Sequence, residues 1–265
     1  MKKPNARRPY LLTVKDNVSL TPNMRRVILT GEDLARFPDT APSAYIKLMF
    51  DRFGDPLQSP PEDNDTVLMR TYTVRKINSK SRELHVDMAL HAENEQSGPA
   101  SHWAQHAKTG SKICVGGPGS GKPLFANYDW VVFVGDITSL PAIANYLEVL
   151  PEDAKGHAFI SVPSRQDIQP LIHPDNVELH WLVNADADET AGNVGSLRPC
   201  PGLPAYWVAA EFSVMRRLRK LVTQDMAVPR EQVYISSYWH KGRAEDQHKI
   251  DKKADNEAFE AALAK

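Results

Sequence analysis

Trp130-Val-Val-Phe-Val134, closed by Gly135 and Asp136, is a compact apolar run of strand length, and what surrounds it decides the fold class. Ser139–Leu150 follows with helical spacing, its apolar set being Leu140, Ile143, Leu147 and Leu150. Further apolar runs lie at His157–Val162, Val177–Val183 and Ala205–Ala210. A second amphipathic segment, Phe212–Asp225, puts Phe212, Met215, Leu218, Leu221 and Val222 on one face, and Val233–Trp239 reads as a last strand. Strands alternating with helices predict a parallel, Rossmann-like α/β domain over residues 128–240.

Working outward, the preceding half reads as β structure. Tyr45–Phe50 is a short strand, and the Pro-, Gly- and Asp-rich stretch Asp51–Asp65 is a loop. Thr66–Lys76 is another strand candidate, with a turn at Asn78–Arg82. Leu84, Val86, Met88 and Leu90 then alternate with Glu83, His85, Asp87 and Ala89, the period of a strand with one buried face. Lys112–Val115 is a further strand, leading into a glycine cluster. Short strands with turns between them predict an antiparallel β-barrel over residues 1–127, with the boundary near Ala126–Asp129. Residues 241–265 are polar and rich in Ala, Glu and Lys, which predicts a helical tail on the surface.

The chain has 265 residues, with 32 Lys and Arg against 33 Asp and Glu. That balance offers no basic stripe for nucleic acid. No apolar stretch reaches the length of a membrane span. Met1–Tyr10 carries Lys2, Lys3, Arg7 and Arg8 but lacks the apolar core of a signal peptide. Cys114 and Cys200 are far apart, so neither a disulfide scaffold nor a zinc or iron–sulfur site is expected. A cytoplasmic monomer is the expectation.

Several strings carry chemistry. In Arg70-Thr71-Tyr72-Thr73 a strand would set Arg70 and Tyr72 on one face and Thr71 and Thr73 on the other. Arginine offers a planar fork for phosphate, while a plain cross-strand Arg–Tyr pair is the structural alternative. Gly98-Pro99-Ala100-Ser101-His102-Trp103 leads into a helix whose N-terminus suits a pyrophosphate, with Ser101 as its cap. Gly116–Lys122 approaches a P-loop, but Pro123 stands where Ser or Thr is needed for magnesium, so a glycine-rich turn is expected there. His102 and His106 are spaced like helical metal ligands without the usual glutamate, and His85, Asp87 and His91 would share a strand face without a fourth ligand, so no resident metal is assigned. No Gly-x-Gly-x-x-Gly follows the Trp130 strand, so a tightly held dinucleotide of the dehydrogenase kind is not expected. Ser164 and Arg165 follow the second parallel strand, where a 2′-phosphate could be read; an exposed loop is the alternative.

Arg70–Arg75, Val86–His91, Gly98–Ala104, Val115–Gly119, Leu140–Ile143, Trp207–Glu211 and Tyr238–Gly242 together resemble the siderophore-interacting protein family, FAD-containing ferric-siderophore reductases of the ferredoxin-reductase-like superfamily. The resemblance implies FAD held by Arg70, Thr71, Tyr72, Thr73, His91, Gly98, Pro99, Ala100, Ser101 and Trp103. It implies NADH or NADPH as a transient donor on the α/β domain, at Thr138, Ser139, Ser164, Arg165 and Glu211, with reduced ferredoxin as another source of electrons. It also implies a ferric siderophore met by Lys47, with His240, Lys241 and Arg243 adding positive charge. The flavin carries the chemistry, so no catalytic side chain is assigned. Ser237 and His240 stand where family members often have Gly and Arg. A flavin or cobalamin reductase of the same superfamily and a non-enzymatic siderophore carrier are the alternatives.

Overall fold

The computed structural model describes residues 8–61, 66–90, 98–122, 124, 125 and 127–263. The chain divides into two compact units. Unit 1 comprises Met1–Pro123, Pro141–Val149 and Arg165–Ile172; unit 2 comprises Leu124–Leu140, Leu150–Ser164 and His173–Lys265.

Unit 1 is built on β1 (Tyr10–Thr21), β2 (Met24–Thr30), β3 (Tyr45–Phe50), β4 (Leu68–Thr73), β5 (Lys76–Asn78), β6 (Glu83–Ala89) and β7 (Lys112–Gly119). Helix α1 (Pro99–His106) belongs to the same unit. The strands form one seven-stranded sheet in the order β4-β3-β7-β1-β2-β6-β5, antiparallel throughout. The expected barrel is therefore an antiparallel sheet whose hydrogen-bond ladder does not close among the described residues. Its core takes alternate residues from each strand: Leu12 and Val14, Val27 and Leu29, Ile46 and Leu48, Leu84 and Val86, Ile113 and Val115. Ala100, Trp103 and Ala104 of α1 join that cluster.

Three local readings change. The β1–β2 hairpin is absent from the sequence reading because register shifts between Val14 and Asp16 and between Ser19 and Thr21 break the alternation. The stretch 66–76 divides into β4 and the start of β5. The glycine string 116–119 is not a turn but the end of β7, paired with β3. A Cβ on Gly119 would overlap the Tyr45 ring, and one on Gly116 would meet Met49 Cε at 2.9 Å. These glycines serve close strand approach. The 78–82 turn is as read: Asn78 Oδ1 accepts from the N–H groups of Lys80 and Ser81 at 3.1 Å each.

Unit 2 holds β8 (Trp130–Asp136), β9 (Gly156–Val162), β10 (Val177–Val183), β11 (Pro204–Glu211) and β12 (Val233–Trp239), parallel, in the order β10-β9-β8-β11-β12. Helix α2 (Leu140–Leu147) follows β8 and lies almost wholly in unit 1, while α3 (Ala187–Gly195), α4 (Phe212–Lys220) and α5 (Glu245–Leu263) belong to unit 2. Strand order reverses between β8 and β11, the position where open α/β sheets bind ligands at their carboxyl ends. Helix α3 is missing from the sequence reading, although Asp186 caps it by accepting from the Glu189 N–H at 2.8 Å. No helix among the described residues is long and apolar enough to cross a membrane.

Helix α5 is fastened to β12 by a buried polar set. His248 Nε2 lies 2.8 Å from Ser237 Oγ, and Lys252 Nζ donates to Ser236 Oγ at 2.5 Å and to the Ser237 carbonyl at 3.0 Å. Burial lowers the His248 pKa below its usual 6.5; the charges of Lys252 and His240 act the same way, and Glu245 and Asp251 oppose them. The folded chain thus disfavours the charged form of His248. Below the unfolded-state pKa the unfolded chain takes up a proton that the folded chain refuses, so stability falls as pH drops through that range. Urea unfolding compared at pH 7.5 and 5.5 is expected to show the loss, at up to about 1.4 kcal/mol per pH unit for each such histidine. His248→Asn should flatten the slope; an unchanged slope would mean that His248 is protonated equally in both states.

Candidate functional site

The sequence string at 70–73 falls on β4, which is a sheet edge. Its register against β3 pairs Leu48 with Arg70, Lys47 with Thr71, Ile46 with Tyr72 and Tyr45 with Thr73. Arg70 and Tyr72 therefore share the face of the buried Ile46 and Leu48, and Tyr72 packs on that core. Thr71 shares the opposite face with Lys47. Arg70 donates from Nη1 to the Met69 carbonyl at 2.9 Å. Its Nε lies 3.9 Å from where a Cβ on Gly98 would stand.

Gly98 is the N-cap of α1, with Pro99 as its first residue. This corrects the expectation that Ser101 caps the helix: Ser101 is buried in the first turn, its N–H donating to the Gly98 carbonyl at 3.0 Å. Proline suits the first helical position because its missing N–H would have no partner there. Trp103 is a core residue, edge-on to Phe50 at 6.4 Å, and its buried indole N–H has no partner among the described residues. A guanidinium beside a glycine-capped helix N-terminus is a donor set that fits a pyrophosphate. His91 lies outside the described residues.

On unit 2, one carboxylate organises the carboxyl ends of the sheet. Asp136, the last residue of β8, accepts through Oδ2 from the Glu211 N–H at 2.8 Å and from Trp239 Nε1 at 2.9 Å. Oδ1 accepts from the Thr138 N–H at 2.9 Å and from Thr138 Oγ1 at 2.5 Å. The Asp136 N–H donates to Ser139 Oγ at 3.1 Å. Thr138, Ser139 and Glu211 are thus brought together, joined by Trp239, at the strand-order reversal. Asp136 is not among the site residues expected from the sequence, though an Asp-x-Thr-Ser string at a strand end is a signal for such a turn.

The Glu211 carboxylate caps α4 by accepting from the Ser213 N–H and hydroxyl, and it also accepts from the Lys241 N–H at 3.1 Å. Burial alone would raise its pKa, but hydrogen bonds from Ser213, Lys241 and Val214 outweigh it and hold the carboxyl below the usual range. Ser164 lies just past β9 in unit 2, whereas Arg165 opens a short 3-10 turn in unit 1. That turn is anchored by the buried Asp167, which accepts from Thr21 Oγ1 at 2.8 Å and from the Asn23 N–H and Nδ2 at 2.9 Å each.

The remaining cations differ in setting. Lys47 is half-buried on β3, opposite Thr71 and Gly116. His240 stacks on Phe212 at 4.5 Å, and its Nδ1 lies 3.1 Å from Asp251 Oδ2. Arg243 Nε lies 3.4 Å from the same oxygen, so Asp251 is shared by the two side chains. Lys241 is exposed. Asp87 is a salt-bridge partner: the Arg26 fork meets it at 2.6 and 2.7 Å, in the register that pairs the two on β2 and β6, with Arg75 Nε at 3.6 Å. The rings of His102 and His106 lie 4.3 Å apart, tilted by 30°, on the exposed side of α1 without a third ligand among the described residues.

An antiparallel sheet followed by a five-stranded parallel sheet with helices is the ferredoxin-reductase-like FAD/NAD-binding fold. The flavohaem-like FAD/NAD-binding domain of a nitric oxide dioxygenase from Vibrio cholerae matches with a TM-score of 0.63 at 13% identity, covering 88% of this chain and 100% of that one, a likeness of fold alone. Residues 13–122 match the siderophore-interacting FAD-binding domain, and residues 128–242 match the siderophore-interacting protein family. The ferric vibriobactin reductase ViuB of Vibrio cholerae is 32% identical over 252 residues, 90% of this chain and 92% of that protein. The crystal structure of the siderophore-interacting protein SipS from Aeromonas hydrophila gives a TM-score of 0.84 at 32% identity, over 94% of this chain and 98% of that one. The chain belongs to the siderophore-interacting protein family.

Proposed function

We propose that the protein is an FAD-dependent ferric-siderophore reductase, drawing electrons from NADH, NADPH or reduced ferredoxin and releasing iron as Fe(II). The observation that carries this reading is the meeting of Arg70 with the glycine-capped start of α1, in a chain 32% identical to a ferric vibriobactin reductase. Bound FAD would supply the link between a two-electron donor and a one-electron acceptor. The protein's own residues bind and orient. Arg70 and the Gly98–Ser101 turn would hold the pyrophosphate, Tyr72 and Thr73 would lie along the ring system, and Thr71, His91 and Trp103 would complete the site. Thr138, Ser139, Glu211 and Ser164 of unit 2 would receive the nicotinamide donor, and Arg165, in unit 1, is proposed for it separately. For an anionic ferric complex, Lys47 is the proposed contact on unit 1; on unit 2, taken by itself, the exposed Lys241 would attract it, and His240 and Arg243, which share Asp251, would add less. The reading places a monomer in the cytoplasm, in keeping with two cysteines that are not joined.

The test is an anaerobic assay with a ferric siderophore, each donor in turn and a chelator that traps Fe(II). Flavin absorbance, donor-dependent bleaching and trapped Fe(II) are expected. Bleaching without trapped iron would favour a flavin or cobalamin reductase, and no flavin, with none taken up, would overturn the proposal. In the same assay Lys47→Ala should raise the siderophore KM about 2- to 5-fold at low salt, as loss of a partly screened charge pair does, with FAD content intact. An unchanged KM would remove Lys47 from the substrate surface.

A further inference from the structure

We propose that His157, Glu178 and His180 form a binding site for a divalent transition-metal ion of the zinc type at the edge of the parallel sheet. Sheet register brings them together. The β9–β10 pairing sets His157 beside Glu178 and Phe159 beside His180, and the period of two puts Glu178 and His180 on one face of the edge strand. Three atoms converge: His157 Nδ1 lies 3.1 Å from His180 Nε2, and Glu178 Oε2 lies 3.5 Å from the first and 3.6 Å from the second.

Those separations are close to the edges of a coordination shell. Zinc with bonds of about 2.0–2.1 Å to nitrogen and oxygen spaces its tetrahedral ligand atoms about 3.3 Å apart. Two imidazoles and one carboxylate suit Zn(II), Cu(II) and Ni(II) better than calcium or magnesium. Among the described residues this is the one group of three potential ligand side chains with its atoms within 4.8 Å of one another.

The imidazoles are also held in place by their neighbours. His180 stacks on Phe159 at 4.4 Å and 14°, the two histidine rings lie 5.3 Å apart at 27°, and Trp130 meets His157 edge-on at 6.5 Å. Little side-chain freedom is left for a metal to remove. The His157 side chain is 12% exposed, His180 34% and Glu178 68%, so the fourth position opens to solvent. A bound ion would clamp the edge strand β10 to β9. The site lies wholly in unit 2 and does not depend on the proposed reductase activity.

The test is calorimetric titration of chelator-treated, flavin-loaded protein with Zn(II), with Co(II) absorption as a second probe. The wild type is expected to bind one ion per chain with a rise in melting temperature. Glu178→Gln, at an exposed position, and His180→Asn, at a half-buried one beside His157, should each weaken binding by at least the about 10- to 100-fold that loss of an outer-shell partner costs. Absence of zinc uptake by the wild type would overturn the proposal and leave a hydrogen-bonded histidine pair. Equal uptake by both variants would also overturn it, placing the ion elsewhere.

Discussion

Arg70→Ala is expected to yield a protein that purifies with little or no flavin and regains it only at high added FAD. The guanidinium sits at the edge strand beside the N-terminus of α1, its Nε 3.9 Å from where a Cβ on Gly98 would stand. Two charge-assisted hydrogen bonds to phosphate contribute about 1.5–3 kcal/mol each. With partial compensation by water, a net loss of about 2–4 kcal/mol corresponds to a roughly 30- to 1,000-fold weaker FAD complex. Arg70→Lys keeps the charge but not the planar fork and should fall between. Gly98→Ala serves as a control for crowding: its φ of −65° is open to alanine, and among the described residues the added Cβ meets only the Arg70 Nε, at ordinary contact distance. Fluorescence titration with FAD reads the affinity, and far-ultraviolet circular dichroism checks the fold. Wild-type flavin content in Arg70→Ala would remove the arginine from the cofactor site. Iron reduction restored by excess FAD would show that the substrate side is intact.

The two halves of the chain are legible in the sequence to different degrees, for physical reasons. Parallel strands buried on both faces are apolar throughout, so Trp130–Val134 and its counterparts stand out without any alternation to follow. The strand over Glu83–Ala89 is equally clear because one of its faces is buried. The hairpin of β1 and β2 is hidden where Asp16 and Asn17 interrupt the period, and Gly116–Gly119 looks like a loop because glycine marks turns and close strand packing alike. Site residues near one another in sequence, such as Arg70 with Tyr72, can be grouped by parity. Those joined by sheet order cannot. Asp136, Glu211 and Trp239 meet because β8, β11 and β12 are neighbours, and His157 meets His180 because β9 and β10 pair in one register. The same parity that groups Arg70 with Tyr72 sets Lys47 with Thr71 on the other face, a division that becomes visible only once β3 and β4 are paired.

Asp136→Ala is expected to slow flavin reduction by a nicotinamide donor by about 10- to 100-fold while leaving FAD content unchanged, since Arg70 and α1 lie in unit 1 and Asp136 in unit 2. Its carboxylate ties the ends of β8, β11 and β12 through donors from Thr138, Glu211 and Trp239. Truncation leaves the Glu211 N–H and the Trp239 indole without their acceptor. Because the site is part-exposed, water recovers some of each bond, and a cost of about 2–3 kcal/mol follows from the usual value of hydrogen bonds to a charged group. That is enough to let the Thr138–Ser139 turn and the Trp239 ring leave the geometry in which a dinucleotide would be received, and misplacement of that order lowers rates steeply. Asp136→Asn does not restore the arrangement, because an amide turns an N–H₂ group toward one of the two donor pairs. Thr138→Val removes only the hydroxyl contact and should cost less. Rapid mixing with NADH or NADPH, fitted for maximal rate and half-saturation separately, identifies Asp136 as a positioning residue if either parameter moves while chemical reduction by dithionite stays at the wild-type rate. Unchanged reduction by both nucleotides in Asp136→Ala would move the donor site away from the carboxyl ends of β8 and β11.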